Sequence, residues 1–95
     1  MDFEFSAEMW HWRGPAPFHF ITLPEEATAP IKAISGLVTY GWGMIPVRAR
    51  IGHSEWNTAM FPKNGRYVLP VKDIVRTAER LVDGDIAAVQ LSVRN

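Results

Sequence analysis

The dipeptide Asn64-Gly65 constrains this chain more than any other feature of its sequence. Both residues tolerate positive φ, which the two-residue turn that best matches strand twist demands at its central positions. It lies between two strand-like runs, Trp56 to Phe61 and Arg66 to Leu69, with Pro62-Lys63 leading into it. The spacing predicts an antiparallel hairpin there, and much of the remaining chain has the same texture of short apolar or alternating runs cut by Gly and Pro.

The first run, Asp2 to Trp12, alternates. Phe3, Phe5, Ala7 and Met9 share one face; Glu4, Ser6 and Glu8 share the other, and Trp10 and Trp12 continue that second parity. A period of two is the signature of a half-buried strand. Gly14-Pro15-Ala16-Pro17 breaks the chain, because proline cannot donate to a ladder. Phe18 to Leu23 reads as a second strand stopped by Pro24. Glu25-Glu26-Ala27 opens a helix that Pro30 and Gly36 are expected to confine to a turn or two. Leu37 to Tyr40 reads as a strand entering Gly41-Trp42-Gly43. Val47, Ala49 and Ile51 then alternate with outward Arg48 and Arg50, and Gly52 to Glu55 forms a turn. Val71, Ile74, Val75, Ala78, Leu81 and Val82 recur at spacings of three and four, which predicts one amphipathic helix near 71–82 with Gly84 as its cap. Ala87, Val89, Leu91 and Val93 alternate in a final strand.

The reading is mainly β: a single domain over 1–95, a closed or partly open barrel of about seven short strands with one helix. Ninety-five residues leave no room for a second core. Ten basic and ten acidic residues give a net charge of +0. That balance argues against a protein whose main task is coating nucleic acid or an anionic membrane. With no cysteine there are no disulfides, thiolate metal sites or Cys nucleophiles. Asp2 and Glu4 follow Met1 where an export leader would carry basic and then apolar residues, so a cytoplasmic location is expected. No stretch reaches the roughly 18 apolar residues of a membrane helix.

Catalytic motifs are missing. Gly41-Trp42-Gly43 lacks the continuation of a phosphate loop, and His53-Ser54-Glu55 is a turn tripeptide, not a convergent relay. His11, His19 and His53 lie on separate elements without metal-ligand spacing. No catalytic residue, metal or cofactor is therefore expected, although a site assembled in three dimensions stays open. Asp83-Gly84-Asp85 reads as a helix cap and turn, with too few oxygens for calcium. Arg48 and Arg50 either pair with Glu4 and Glu8 across a sheet or form a ligand patch. The four tryptophans serve packing or binding; Trp10 and Trp12 share a polar face and Trp42 sits between glycines. The candidate binding residues are Trp10, Trp12, Trp42, Arg48 and Arg50, with the site placed where Trp42 and Arg48 meet Trp10 or Trp12.

Phe20 to Pro24 and Tyr67 to Pro70 both end a strand in Leu-Pro and lead into helix-leaning sequence. Such a match arises readily by chance, so a duplicated chain is one of two readings. Trp12, Gly14-Pro15, Leu23-Pro24, Gly41-Trp42-Gly43, Pro46-Val47, Trp56, Tyr67 to Val71, Arg76, Glu79 and Gly84-Asp85 occur in an order that resembles a bacterial domain-of-unknown-function family, DUF1905. The resemblance covers nearly the whole chain. It implies a small pseudo-duplicated, double-split barrel, distantly like AbrB/MazE-type regulators, and it implies no activity. The expected role is a non-enzymatic binding or accessory domain, monomeric or weakly dimeric, for a small molecule or a protein. The alternatives are a nucleic-acid-binding or antitoxin-like regulator, which predicts a contiguous Arg48, Arg50 and Arg66 face, and a small enzyme, which needs convergent histidines or carboxylates.

Overall fold

A computed structural model of the chain describes residues 1–14, 18–38 and 43–93. Its elements run β1 (Asp2–Trp12), β2 (Phe18–Thr22), α1 (Glu25–Val38), β3 (Ile45–Ile51), β4 (Ser54–Lys63), β5 (Arg66–Val71), α2 (Asp73–Ala78) and β6 (Ile86–Val93). The strands close into a barrel in the order β1-β2-β5-β4-β3-β6, with every neighbouring pair antiparallel. Closure leaves no free sheet edge, which is how a small β domain avoids edge-to-edge association.

Alternation fills the interior. Met9, Ile21, Ile45, Val47, Ala49, Met60, Leu69, Val89 and Leu91 are fully buried and form a continuous core. Each buried Leu or Ile side chain contributes about 1.5–3 kcal/mol relative to exposure. Two tight hairpins set the register of β4. Asn64 and Gly65 both take positive φ (53° and 79°), so the Lys63↔Arg66 pair is closed by the turn the sequence predicts. Gly52 (φ 59°) opens the corresponding turn between Ile51 and Ser54.

Among the described residues six strands build the barrel, where about seven were expected. Leu37 and Val38 end α1 instead of starting a strand, and Thr39 to Trp42 lie outside the described residues. The helix itself spans 14 residues with Pro30 inside it, where a turn or two was expected. Proline removes one backbone bond from a helix interior, at about 3 kcal/mol. Tertiary packing outweighs that loss: Ala27, Thr28 and Ile31 are buried and Ile34 packs against the core, one helix face covering the barrel. Among the described residues no helix is long and apolar enough to cross a membrane.

The second helix is shorter than its 71–82 periodicity suggests. Arg80 adopts the left-handed conformation (φ 55°). The Leu81 N–H then bonds the Arg76 carbonyl at 2.9 Å, and the Arg80 N–H bonds that of Thr77 at 3.2 Å. This pair of bonds is a Schellman ending, normally built on glycine. Gly84 therefore caps no helix; it belongs to the next turn, where its N–H bonds the Met9 carbonyl.

The pairing has an internal two-fold relationship. Exchanging β1, β2, α1 and β3 for β4, β5, α2 and β6 leaves the ring of neighbours unchanged. The register agrees residue by residue: Leu23-Pro24 falls on Leu69-Pro70, the Phe3↔Leu91 pair on Trp56↔Ala49, and Met9↔Ile21 on Pro62↔Tyr67. The Leu-Pro repeat in the sequence thus marks equivalent positions in the two halves of the barrel.

Candidate ligand-binding site

Pairing of β1 with β2 sets Trp10 opposite Phe20, His11 opposite His19, and Trp12 opposite Phe18. Met9 and Ile21 point into the core, so strand alternation sends Trp10, Trp12, Phe18 and Phe20 to the outer face. There they form an aromatic surface. Ring centroids lie 5.1 Å apart for Trp10–Phe20 and 5.3 Å for Phe18–Phe20, and Phe61 from β4 meets Phe20 edge-on at 5.6 Å. These separations fall in the range where aromatic pairs add about 0.5–1.5 kcal/mol beyond burial. Trp12 and Phe18 remain 44% and 40% exposed, so the surface is open to solvent.

Lys63 completes it. The residue stands at the end of β4, just before the Asn64-Gly65 turn, and its Nζ lies 5.3 Å from the Trp10 ring and 5.0 Å from the Trp12 ring. Trp10, Trp12, Phe20, Phe61 and Lys63 line a cleft of about 290 Å³. Two local features hold its walls. The Trp10 indole N–H donates to Thr22 Oγ1 at 2.9 Å. The Trp12 indole lies over Gly14 so closely that a Cβ there would clash with its Nε1.

Of the five candidate binding residues, the structure brings Trp10 and Trp12 together in this cleft, and Trp42 lies outside the described residues. Arg48 and Arg50 do not join them. Arg48 pairs through Ser92 of β6 to Asp2 at the start of β1, eight residues from Trp10, or about 26 Å along the strand. They line a separate polar groove of about 330 Å³ with Asp2, Glu4, Glu55, Gln90 and Ser92. Nor do Glu4 and Glu8 face them directly, because β6 intervenes; Arg48 approaches Glu55 at 3.7 Å, and Arg50 Nε donates to the Gly52 carbonyl at 2.9 Å. Arg66 is on β5, beyond β4, with Glu25 at 3.9 Å, so the three arginines form no contiguous face.

Sequence reasoning missed Phe20, Phe61 and Lys63. The parity of Phe18 and Phe20 was readable, but which strand lies beside which was not. It also left His11 and His19 on separate elements, and the register makes them cross-strand neighbours with rings stacked 4.4 Å apart and 7° from parallel. Asp83 joins them: its Oδ1 lies 3.1 Å from His19 Nε2, and its Oδ2 lies 3.7 Å from His11 Nδ1. His53 stands apart, exposed in the β3–β4 turn.

Residues 5–91 match the model of a family described as a domain of unknown function, DUF1905. No curated protein matches the chain.

Proposed function

The chain belongs to the DUF1905 family, and because that family's description assigns no activity, we propose a function from geometry: this is a binding domain for a small, flat, anionic molecule. The ligand is an aromatic or heteroaromatic ring carrying a carboxylate or phosphate, and it occupies the Trp10–Trp12–Phe20–Phe61 cleft. The observation that supports this reading is the Lys63 ammonium, held about 5 Å from two tryptophan rings at the edge of an aromatic cleft.

A planar ring entering this cleft stacks on indole and phenyl faces, which is worth about 1–3 kcal/mol per ring. Among the described residues Lys63 makes no ion pair, so its charge is free to meet the ligand's anion. Its contact with the two rings contributes about 0.5–2 kcal/mol and keeps the ammonium beside the ring-binding surface. A cleft of roughly 300 Å³ stands at the small end of ligand sites, which suits a single ring system and not a polymer segment.

The test is a tryptophan-fluorescence titration with aromatic carboxylates, 5′-mononucleotides and their uncharged analogues. Saturable quenching by the anionic compounds, weakened about tenfold by Lys63→Ala and by Trp12→Ala, is the expected result. Equal response to charged and uncharged compounds, or wild-type affinity in Lys63→Ala, overturns the reading.

A further inference from the structure

We propose that His11, His19 and Asp83 form a binding site for a divalent transition metal of zinc-like chemistry, with a coordination position left open. The three donor atoms lie within 4.8 Å of one another. Zinc–imidazole and zinc–carboxylate bonds of about 2.0–2.1 Å place neighbouring donors of a tetrahedral site roughly 3.3 Å apart. Asp83 Oδ1 lies 3.1 Å from His19 Nε2 and Oδ2 lies 3.7 Å from His11 Nδ1, so the carboxylate reaches both imidazoles at close to that spacing, one oxygen to each. Imidazole with carboxylate suits zinc, copper, iron and nickel, and does not suit calcium or magnesium. Three protein ligands are the number that leaves a fourth position for water or substrate.

Convergence here is built by the backbone. His11 and His19 continue the inward rows of β1 and β2 beyond Met9 and Ile21. The 82–85 turn is tied to the same place by two backbone bonds, Met9 N–H to the Asp85 carbonyl and Gly84 N–H to the Met9 carbonyl, each 2.9 Å. Asp85 Oδ2 accepts the Val82 N–H at 2.9 Å and stiffens the turn from within. Asp83 is thereby held beside both imidazoles; a shared metal requires one ring to rotate out of the stack, because two parallel imidazoles cannot both point an in-plane lone pair at one ion. The site also costs the fold something that packing alone does not explain. Among the described residues His19 Nδ1 is buried without a hydrogen-bond partner, a penalty an apolar residue at this position avoids.

Arg13 provides the discriminating observation. Its guanidinium lies 3.6 Å from Asp83 Oδ2 while the side chain is 79% exposed. It occupies the charge of the carboxylate that the metal needs, and solvent gives it somewhere else to go. Metal and Arg13 therefore compete for Asp83.

The experiment is calorimetric titration of the untagged protein with Zn²⁺, and with Co²⁺ read by its visible ligand-field band. Binding is expected to saturate at one equivalent. A hundredfold excess over the dissociation constant is expected to raise Tm by roughly 10 °C or more. Asp83→Asn and His11→Gln, both at partly exposed positions, are expected to weaken binding about a hundredfold while circular dichroism stays native. Arg13→Ala is expected to tighten it up to about fivefold, the worth of a surface ion pair. His53→Gln is expected to leave it unchanged. No saturable binding of either metal overturns the site. So does wild-type affinity in folded Asp83→Asn and His11→Gln, or a loss in His53→Gln equal to theirs.

Discussion

The Trp10 indole donates to the Thr22 hydroxyl across the β1–β2 ladder, two positions beyond the Phe20 that Trp10 faces. This diagonal bond fixes one wall of the aromatic cleft in a single orientation. Thr22→Val keeps the shape and β-branching and removes the acceptor. The half-buried N–H then goes unpaired, so stability is expected to fall by about 1 kcal/mol. Urea denaturation with an unchanged slope is the measurement. Affinity for a ring-bearing anion is expected to fall in the same variant.

Gly14 does for Trp12 what Thr22 does for Trp10, by absence. Gly14→Ala places a methyl where the indole lies, and Trp12, already half exposed, is expected to swing away from Lys63. The change costs the fold little, because what moves is the far end of a surface side chain. Denaturation is expected to stay within about 0.5 kcal/mol of wild type, while cleft affinity drops to the level of Trp12→Ala. A variant that binds as tightly as wild type would show that Trp12 is not part of the site.

Arg80 occupies the left-handed position of the α2 ending. An L-residue there costs roughly 1–2 kcal/mol, and glycine removes the cost while adding freedom to the unfolded chain. Arg80→Gly is expected to stabilise by about 0.5–1 kcal/mol and raise Tm by roughly 3–6 °C, as followed by thermal denaturation.

Pro30 sits exposed inside α1, where its ring displaces one backbone donor. Pro30→Ala restores the bond to the Glu26 carbonyl and a better helix former. An increase of about 1–3 kcal/mol is expected, with a gain in helical circular dichroism. A loss of stability would mean that the proline's restriction of the unfolded chain outweighs the missing bond.

Much of the barrel is legible in the sequence wherever one local rule acts alone. Alternation places β1, β3 and β6, and Asn64-Gly65 fixes the β4–β5 hairpin. Where two rules compete, local reading fails. Pro30 and Gly36 argue against a long helix, but the burial of Ala27 and Ile31 decides for it. Leu81 and Val82 continue a helical period, but the chain turns at Arg80 first, and Val82 ends up exposed. Parity alone puts Trp10 and Trp12 on one outer face. It cannot say that Phe61 and Lys63 arrive beside them, because that depends on which strands the closed ring makes adjacent. The His11–His19–Asp83 grouping was hidden for the same reason, with seven residues of chain between the two histidines and the aspartate over sixty further on.

The two-fold register has a topological consequence at the chain ends. The exchange that carries Ile51 to Val93 carries Ser54 to Met1, and the Val93 N–H does bond the Met1 carbonyl at 2.9 Å. Met1 and Val93 therefore stand where the other half has its Gly52-His53 hairpin. The order in which the strands are threaded is interchangeable with a rotated one. A circular permutant opened between Gly52 and His53, with Val93 linked to Met1 through a short Gly-containing turn, is expected to close the same ring, with amide spectra that overlay those of the parent away from the two junctions. The closed circuit of strands, and not the point at which the polypeptide starts, defines this fold.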